Sequence, residues 1–205
     1  MRTDYYSKFI FVRKTAVFLA LVLSAGGCLK NDDATVLLPL PIGDVVGVDP
    51  PPGMLDDIQI NEGTAPPDIV GNYVADSMTI ERASDDYWNA EFYNLYMSFT
   101  NVVGRNFTTY KERQSTSSAT SSLARIIGSG NDFTVYFVME MSDPVEQWKC
   151  KTFTVISGTL TSQGIANFQY SNAMLEKNDP LDKLMNVGEY HVYNNRGGIV
   201  MSRDW

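Results

Sequence analysis

The chain is poor in the residues that build most active sites. Its 205 residues include one His and two Cys. A single imidazole excludes any centre that needs two, and two thiols exclude a disulfide-stapled scaffold. Positive charge is also short, with 16 Lys+Arg against 24 Asp+Glu and a net charge of −8. A surface of that sign repels phosphates, so nucleic acid is not an expected partner. No uncharged apolar run approaches the ~20 residues that a membrane-spanning helix needs. What the chain does have is 44% hydrophobic and 12% aromatic residues, enough for a packed core. Its length suits one ordinary domain plus accessory segments.

The amino terminus has a three-part layout. Arg2, Lys8, Arg13 and Lys14 make a basic start, Thr15–Leu23 is uncharged and apolar, and Ser24-Ala-Gly-Gly27 is a small-residue exit. This is the pattern of a secretory signal peptide, residues 1–27. Cys28 follows directly. Leu23-Ser-Ala-Gly-Gly-Cys28 resembles the bacterial lipobox, with Ala25 where a larger aliphatic residue is commoner. The resemblance implies cleavage before Cys28 and a diacylglycerol on its sulfur; the other reading is an ordinary signal peptide with an incidental Cys. Buried acyl methylenes contribute ~0.8 kcal/mol each, so two or three chains hold a soluble domain at a membrane. Lys30-Asn-Asp32-Asp33 resembles the surface-export signal of Bacteroidota lipoproteins, which implies the outer face of the outer membrane. A solvated acidic linker is the plainer account of the same residues. Asp76-Ser77-Met78 resembles the three-residue O-glycosylation motif of that phylum, which would make Ser77 an acceptor. Asn106-Phe-Thr108 has the eukaryotic N-glycosylation spacing, which has no role in a bacterial lipoprotein.

Residues 28–68 read as a tether. Seven of the nine prolines fall between Pro39 and Pro67, and residues 29–68 hold eight acids against Lys30 alone. Proline blocks regular pairing and like charges repel, so an extended leash is expected. Val45-Val-Gly-Val48 and Ile58-Gln-Ile60 are short apolar pieces able to dock on the domain or a partner.

From Ile69 to Trp205 the pattern is β. Phe133, Val135, Phe137, Met139 and Met141 alternate with more polar neighbours, and Tyr93, Leu95, Met97 and Phe99 do the same. Turn signals recur at Gly128–Asn131, Ser157-Gly158, Ser162–Gly164 and Asn194–Gly198. Gln114–Ser122 reads as a mobile Ser-rich loop, and Asn178–Met185 as one short helix. Eight or nine antiparallel strands in a meander make a small barrel or a β-sandwich. Ile69-Val-Gly-Asn-Tyr73 resembles the opening of lipocalin-like domains, where Gly-x-aromatic seals one barrel end, and this favours the barrel.

Chemistry-bearing residues are sparse. His191 shares a strand face with Glu189 and is expected at the surface or barrel rim. No Gly-x-Ser-x-Gly elbow occurs. Cys150 has a cation on either side, but strand neighbours point the opposite way, and an unpaired thiol is most often buried. Asp85-Asp86, Asp143/Glu146 and Asp179/Asp182 read as solvated turns, too sparse for a Ca²⁺ loop. Of the aromatic run Tyr87, Trp88, Phe92, Tyr93, Tyr96, Phe99, Phe107 and Tyr110, most belong to the core. Tyr87 and Trp88 are the candidate ligand-binding rings.

No catalytic residue, metal site or cofactor is expected. The whole chain resembles a small Bacteroidota outer-membrane lipoprotein. That resemblance implies an accessory subunit of a TonB-dependent nutrient importer, beside a lipoprotein lid of the SusC/SusD type, capturing glycan or peptide. A lipocalin-like carrier of a small apolar ligand is the alternative, and a surface hydrolase using paired carboxylates a remote one. Mass spectrometry of the mature amino terminus is expected to find an acylated Cys28, and Cys28→Ala to leave an unlipidated, uncleaved precursor.

Overall fold

The computed structural model describes residues 49–86, 91–103, 107–195 and 198–203. The chain there is all β, without helix. The strands are β1 Thr64–Ala65, β2 Gly71–Ala83, β3 Glu91–Val103, β4 Phe107–Gln114, β5 Ser117–Ser129, β6 Asp132–Asp143, β7 Trp148–Thr161, β8 Gly164–Asn178, β9 Tyr190–Asn195 and β10 Ile199–Ser202. From β2 to β8 each strand pairs antiparallel with the next. β9 and β10 then lie between β8 and β2 and pair with both. They act as one interrupted strand. The meander therefore closes into an eight-stranded, lipocalin-like barrel with one short addition. That addition, β1, runs parallel to β5 at Gly128 and Ser129, beyond the last β4–β5 pair at Arg125.

Closure has local requirements. At the seam, Gly164 has φ +145° and a Cβ there would stand 2.0 Å from the Val200 carbonyl oxygen, so only glycine admits β10 at that distance. The lipocalin-like opening behaves as its resemblance implies. Tyr73 folds back across Gly71 and donates its hydroxyl to the Ile69 carbonyl at 3.1 Å, with Ile69 and Tyr73 both buried.

The interior is filled by the inward residues of every barrel strand. Phe133, Val135, Phe137 and Met139 point in, as their alternation predicts. Tyr110 packs between Phe99 and Phe137 at ring distances of 5.1 and 4.6 Å. One expected face is only partly right: Leu95, Met97 and Phe99 are buried, but Tyr93 is 55% exposed. Asn94 takes a left-handed backbone (φ 56°), which resets the alternation and turns Phe92 toward the core instead.

A second apolar cluster lies on the barrel's other face and includes Tyr136, Phe153, Val155, Tyr190 and Val192. Residues 51–60, which the sequence places in the tether, cover it. Met54 is fully buried there and Ile58 nearly so, the docking anticipated for Ile58-Gln-Ile60. Such a side chain contributes roughly 1.5–3 kcal/mol when removed from water. Polar groups fix the strap's register. The Gln59 N–H donates to Gln169 Oε1 (2.8 Å), and Gln169 Nε2 donates to the Asp57 carbonyl (2.9 Å). Asn61 donates its N–H to Thr134 Oγ1 (2.8 Å) and its amide to the Phe133 carbonyl and Ser157 Oγ (both 3.0 Å). Thr134 and Ser157 are fully buried on the outer face because the strap satisfies them.

Three sequence expectations need correction. Gln114–Ser122 is no loop: only Ser115 and Thr116 turn, and the Ser/Thr-rich run is the start of β5. Ala119 and Ser121 point inward there, which satisfies the barrel without large side chains. Ser157-Gly158 is not a turn but the middle of β7, at a bulge against β8. Asn178–Met185 forms no helix. Its one turn, closed by Asp182 N–H to the Asp179 carbonyl at 3.1 Å, stops at Asp182, whose φ of 51° cannot continue a right-handed helix.

Met54→Ala is expected to cost about 2–4 kcal/mol through the cavity left under the strap, read as a lowered urea midpoint at unchanged slope.

Candidate functional site

The barrel is packed at one end and open at the other. Near the β4–β5 and β6–β7 hairpins, beside the start of β3 and of β9, the inward side chains leave a pocket of about 310 Å³. Its wall is apolar and soft: Met78, Leu95, Met141 and Met174, with the rings of Phe92, Tyr170 and Tyr193. Trp148, Leu184 and Met185 stand at the rim. The 184–185 segment is held by Asp179, whose Oδ2 accepts the Leu184 N–H at 2.6 Å.

A carboxylate sits inside. Glu112 occupies the inward register of β4, between Lys111 and Arg113, which point out. It is only 8% exposed. Tyr110 donates its hydroxyl to Glu112 Oε2 at 2.6 Å, and Tyr170 donates at 3.2 Å to Oε2 and 3.4 Å to Oε1. Burial is the largest influence and pushes the carboxyl up to about 7, opposed by the two tyrosine hydrogen bonds. Burial, together with the Glu112 charge, drives the Tyr110 and Tyr170 hydroxyls well above their ordinary range.

A second polar chain runs along β9. His191 Nε2 lies 2.8 Å from Asp85 Oδ2, and His191 Nδ1 lies 3.2 Å from the Tyr193 hydroxyl. Asn172, on the neighbouring strand, lines the same pocket as both systems, and its side chain opposes the upward push of burial on the Tyr170 and Tyr193 hydroxyls. The expectation of a surface or rim His191 is therefore overturned. It is 9% exposed and lines the pocket, and Asp85 is buried with it rather than solvated. The cause is the strap. Tyr190 and Val192 are the outward residues of β9, but they lie under residues 51–60, so the apolar side of the strand is not the barrel interior.

The other sequence candidates fall as follows. Cys28, Lys30, Asp32, Asp33, Tyr87 and Trp88 lie outside the described residues, as does Asn106. The residues flanking 87–90 do reach the pocket, Phe92 directly and Asp85 through His191. Ser77 is half-buried on β2; Asp76 beside it is exposed and Met78 points into the barrel. Cys150 is buried beside the pocket, its thiol pushed up to about 12 by burial and by Glu112 and Asp179. Asp143 is no solvated turn: it accepts from Thr116 Oγ1 (2.5 Å) and from the Val145 and Glu146 N–H groups (2.8 and 2.9 Å). Hydrogen bonding, from Thr116 first, holds its carboxyl below the usual range. Glu112 and Asn172 escaped sequence reading; the one signal was Tyr110-Lys-Glu112, an inward ring followed two places later by an acid on the same strand face.

Among the described residues no three His, Cys, Asp or Glu side chains gather as a metal site. A wider open groove of about 480 Å³ crosses β5 to β8, with the charges of Glu140, Lys149 and Glu176 on its walls. The barrel pocket differs in having buried polar groups that face inward.

The raised Glu112 carboxyl has a consequence for stability. A folded-state value near 7 against the ordinary 4.5 means the folded state binds the proton more tightly than the unfolded chain does. That contribution is full below about 4.5, is lost as pH rises through about 7, and amounts to about 3 kcal/mol at most. Glu112→Gln is expected to abolish this slope, so the variant's urea-unfolding free energy gains on the wild type between pH 5 and pH 8. Comparison with known protein families, with curated proteins and with solved structures gives no match.

Proposed function

We propose that the protein is a non-enzymatic binding lipoprotein whose barrel holds one small ligand in its open end. The carrying observation is the interior pocket of about 310 Å³, walled by Met, Leu and aromatic side chains around a few converging polar groups. That is the usual make-up of a small-molecule site, at the lower end of the usual size range. Methionine walls adapt to ligand shape at little energetic cost. The volume suits a molecule of about ten to fifteen heavy atoms, far smaller than a folded peptide or a glycan chain.

The anchoring part of the proposal rests on residues 1–33, whose resemblance to a lipobox and a surface-export signal supports a lipid leash at the outer face of the outer membrane. In that setting the bound molecule passes to a TonB-dependent importer and its lid, and the barrel serves as an accessory capture subunit. Hydrolysis is the weaker reading. The Asp85–His191 pair ends on Tyr193, a phenol whose hydroxyl is driven upward by burial and by the Glu112 charge. Such a group is a poor nucleophile.

The test is binding of the small, neutral, polarity-sensitive dye 4-(dimethylamino)benzonitrile to the purified full chain. Saturable fluorescence enhancement with one site per barrel is expected. Leu95→Trp, which places a larger side chain into the pocket, is expected to weaken it at least tenfold while the thermal midpoint stays within a few degrees. Saturable binding that Leu95→Trp leaves unchanged would move the site elsewhere and sink the proposal.

A further inference from the structure

Two buried acceptors in the pocket are left open. Glu112 Oε2 already receives two hydroxyl donors, whereas Oε1 has only the long 3.4 Å side of the Tyr170 contact. Asn172 is 93% buried, lines the pocket, and its Oδ1 has no hydrogen-bond partner. A buried acceptor without a donor costs about 1–3 kcal/mol, which a suitable ligand would recover. Both open acceptors belong to residues that line the same pocket.

Charge points the same way. The basic side chains at the pocket already have acidic neighbours: Lys183 at the rim pairs with Glu146, and His191 lies against Asp85. The rings of Phe92, Tyr170 and Tyr193 line the same pocket, and an aromatic face attracts a cation. An anionic ligand would meet the Glu112 carboxylate and the open Asn172 carbonyl, neither of which offers it a donor.

We infer that the pocket takes a small organic cation, a protonated primary amine on an apolar or aromatic body, with its ammonium between Glu112 Oε1 and Asn172 Oδ1. An ammonium carries three donors and no acceptor, the complement of this site. The inference rests on the proposed small-ligand function and names its ligand class.

Isothermal titration at pH 8 with tryptamine, the neutral 3-ethylindole and the anion indole-3-propionate separates the two. Tryptamine is expected to bind at least tenfold more tightly than 3-ethylindole, and indole-3-propionate not measurably. In Glu112→Gln the preference should vanish while 3-ethylindole affinity is unchanged, which also shows that the variant's pocket is intact. Should Glu112→Gln lose 3-ethylindole as well, Asn172→Ser repeats the comparison, and a retained amine preference there overturns the seating. Equal or tighter binding of 3-ethylindole or the anion by the wild type overturns the cation class and leaves the small-ligand function standing. If none of the three binds at millimolar concentration the amine assignment falls, and the dye experiment decides the function separately.

Discussion

Closure of the sheet is the constraint from which the rest follows. Once β9 and β10 pair with both β2 and β8, the barrel has no free edge around its circumference and every inward side chain shares one enclosed volume. Eight strands enclose a space that side chains can just fill. Here they fill it unevenly. Phe99, Tyr110, Phe133 and Phe137 occupy the end with Tyr73 and Ile69, and the opposite end has methionines, smaller residues and polar groups. A barrel this narrow cannot be both solidly packed and open along its whole length, so an uneven filling concentrates its unused volume at one mouth.

Placing Glu112 at the boundary between the two halves runs against stability. A carboxylate in an apolar interior is costly, and two tyrosine hydroxyls offset only part of that cost, as the upward displacement of its titration to about 7 shows. A fold selected for stability alone would carry a Leu or Met there, since the neighbours Met97 and Ala119 are apolar and the strand needs no charge. Stability comes from elsewhere: the interior rings, and the outer cluster sealed by Met54 and Ile58. Local disfavour tolerated by an otherwise well-packed structure is a mark of sites that bind something.

The β class and most strand positions were legible because period-two alternation survives wherever only one face is apolar, as in β6. Reading failed where the second face was covered too. Thr134 and Tyr136 of β6 and Tyr190 and Val192 of β9 are buried outward by residues distant in sequence, so polarity no longer tells inside from outside. For β9 this exchanged the two faces and sent His191 to the surface. The site was hidden for a different reason. Glu112 stands in Lys111-Glu-Arg113, which has the look of a solvated strand, and only the closed barrel shows which way it points. Asn94 and Gly158 mark irregularities whose effect on facing depends on the partner strand.

The strap also changes what a tether can be. Proline and acidic charge over residues 28–68 argue for an extended leash, yet from residue 51 the chain is committed to the barrel by buried side chains and paired backbone. Proline and packing are compatible here because Pro51 and Pro52 only open a turn; Met54, Ile58 and Asn61 then make the contacts. The strap crosses β6, β7 and β8 on the outside, while the pocket opens inside the barrel at one end, so strap and pocket use different surfaces of the same closed sheet.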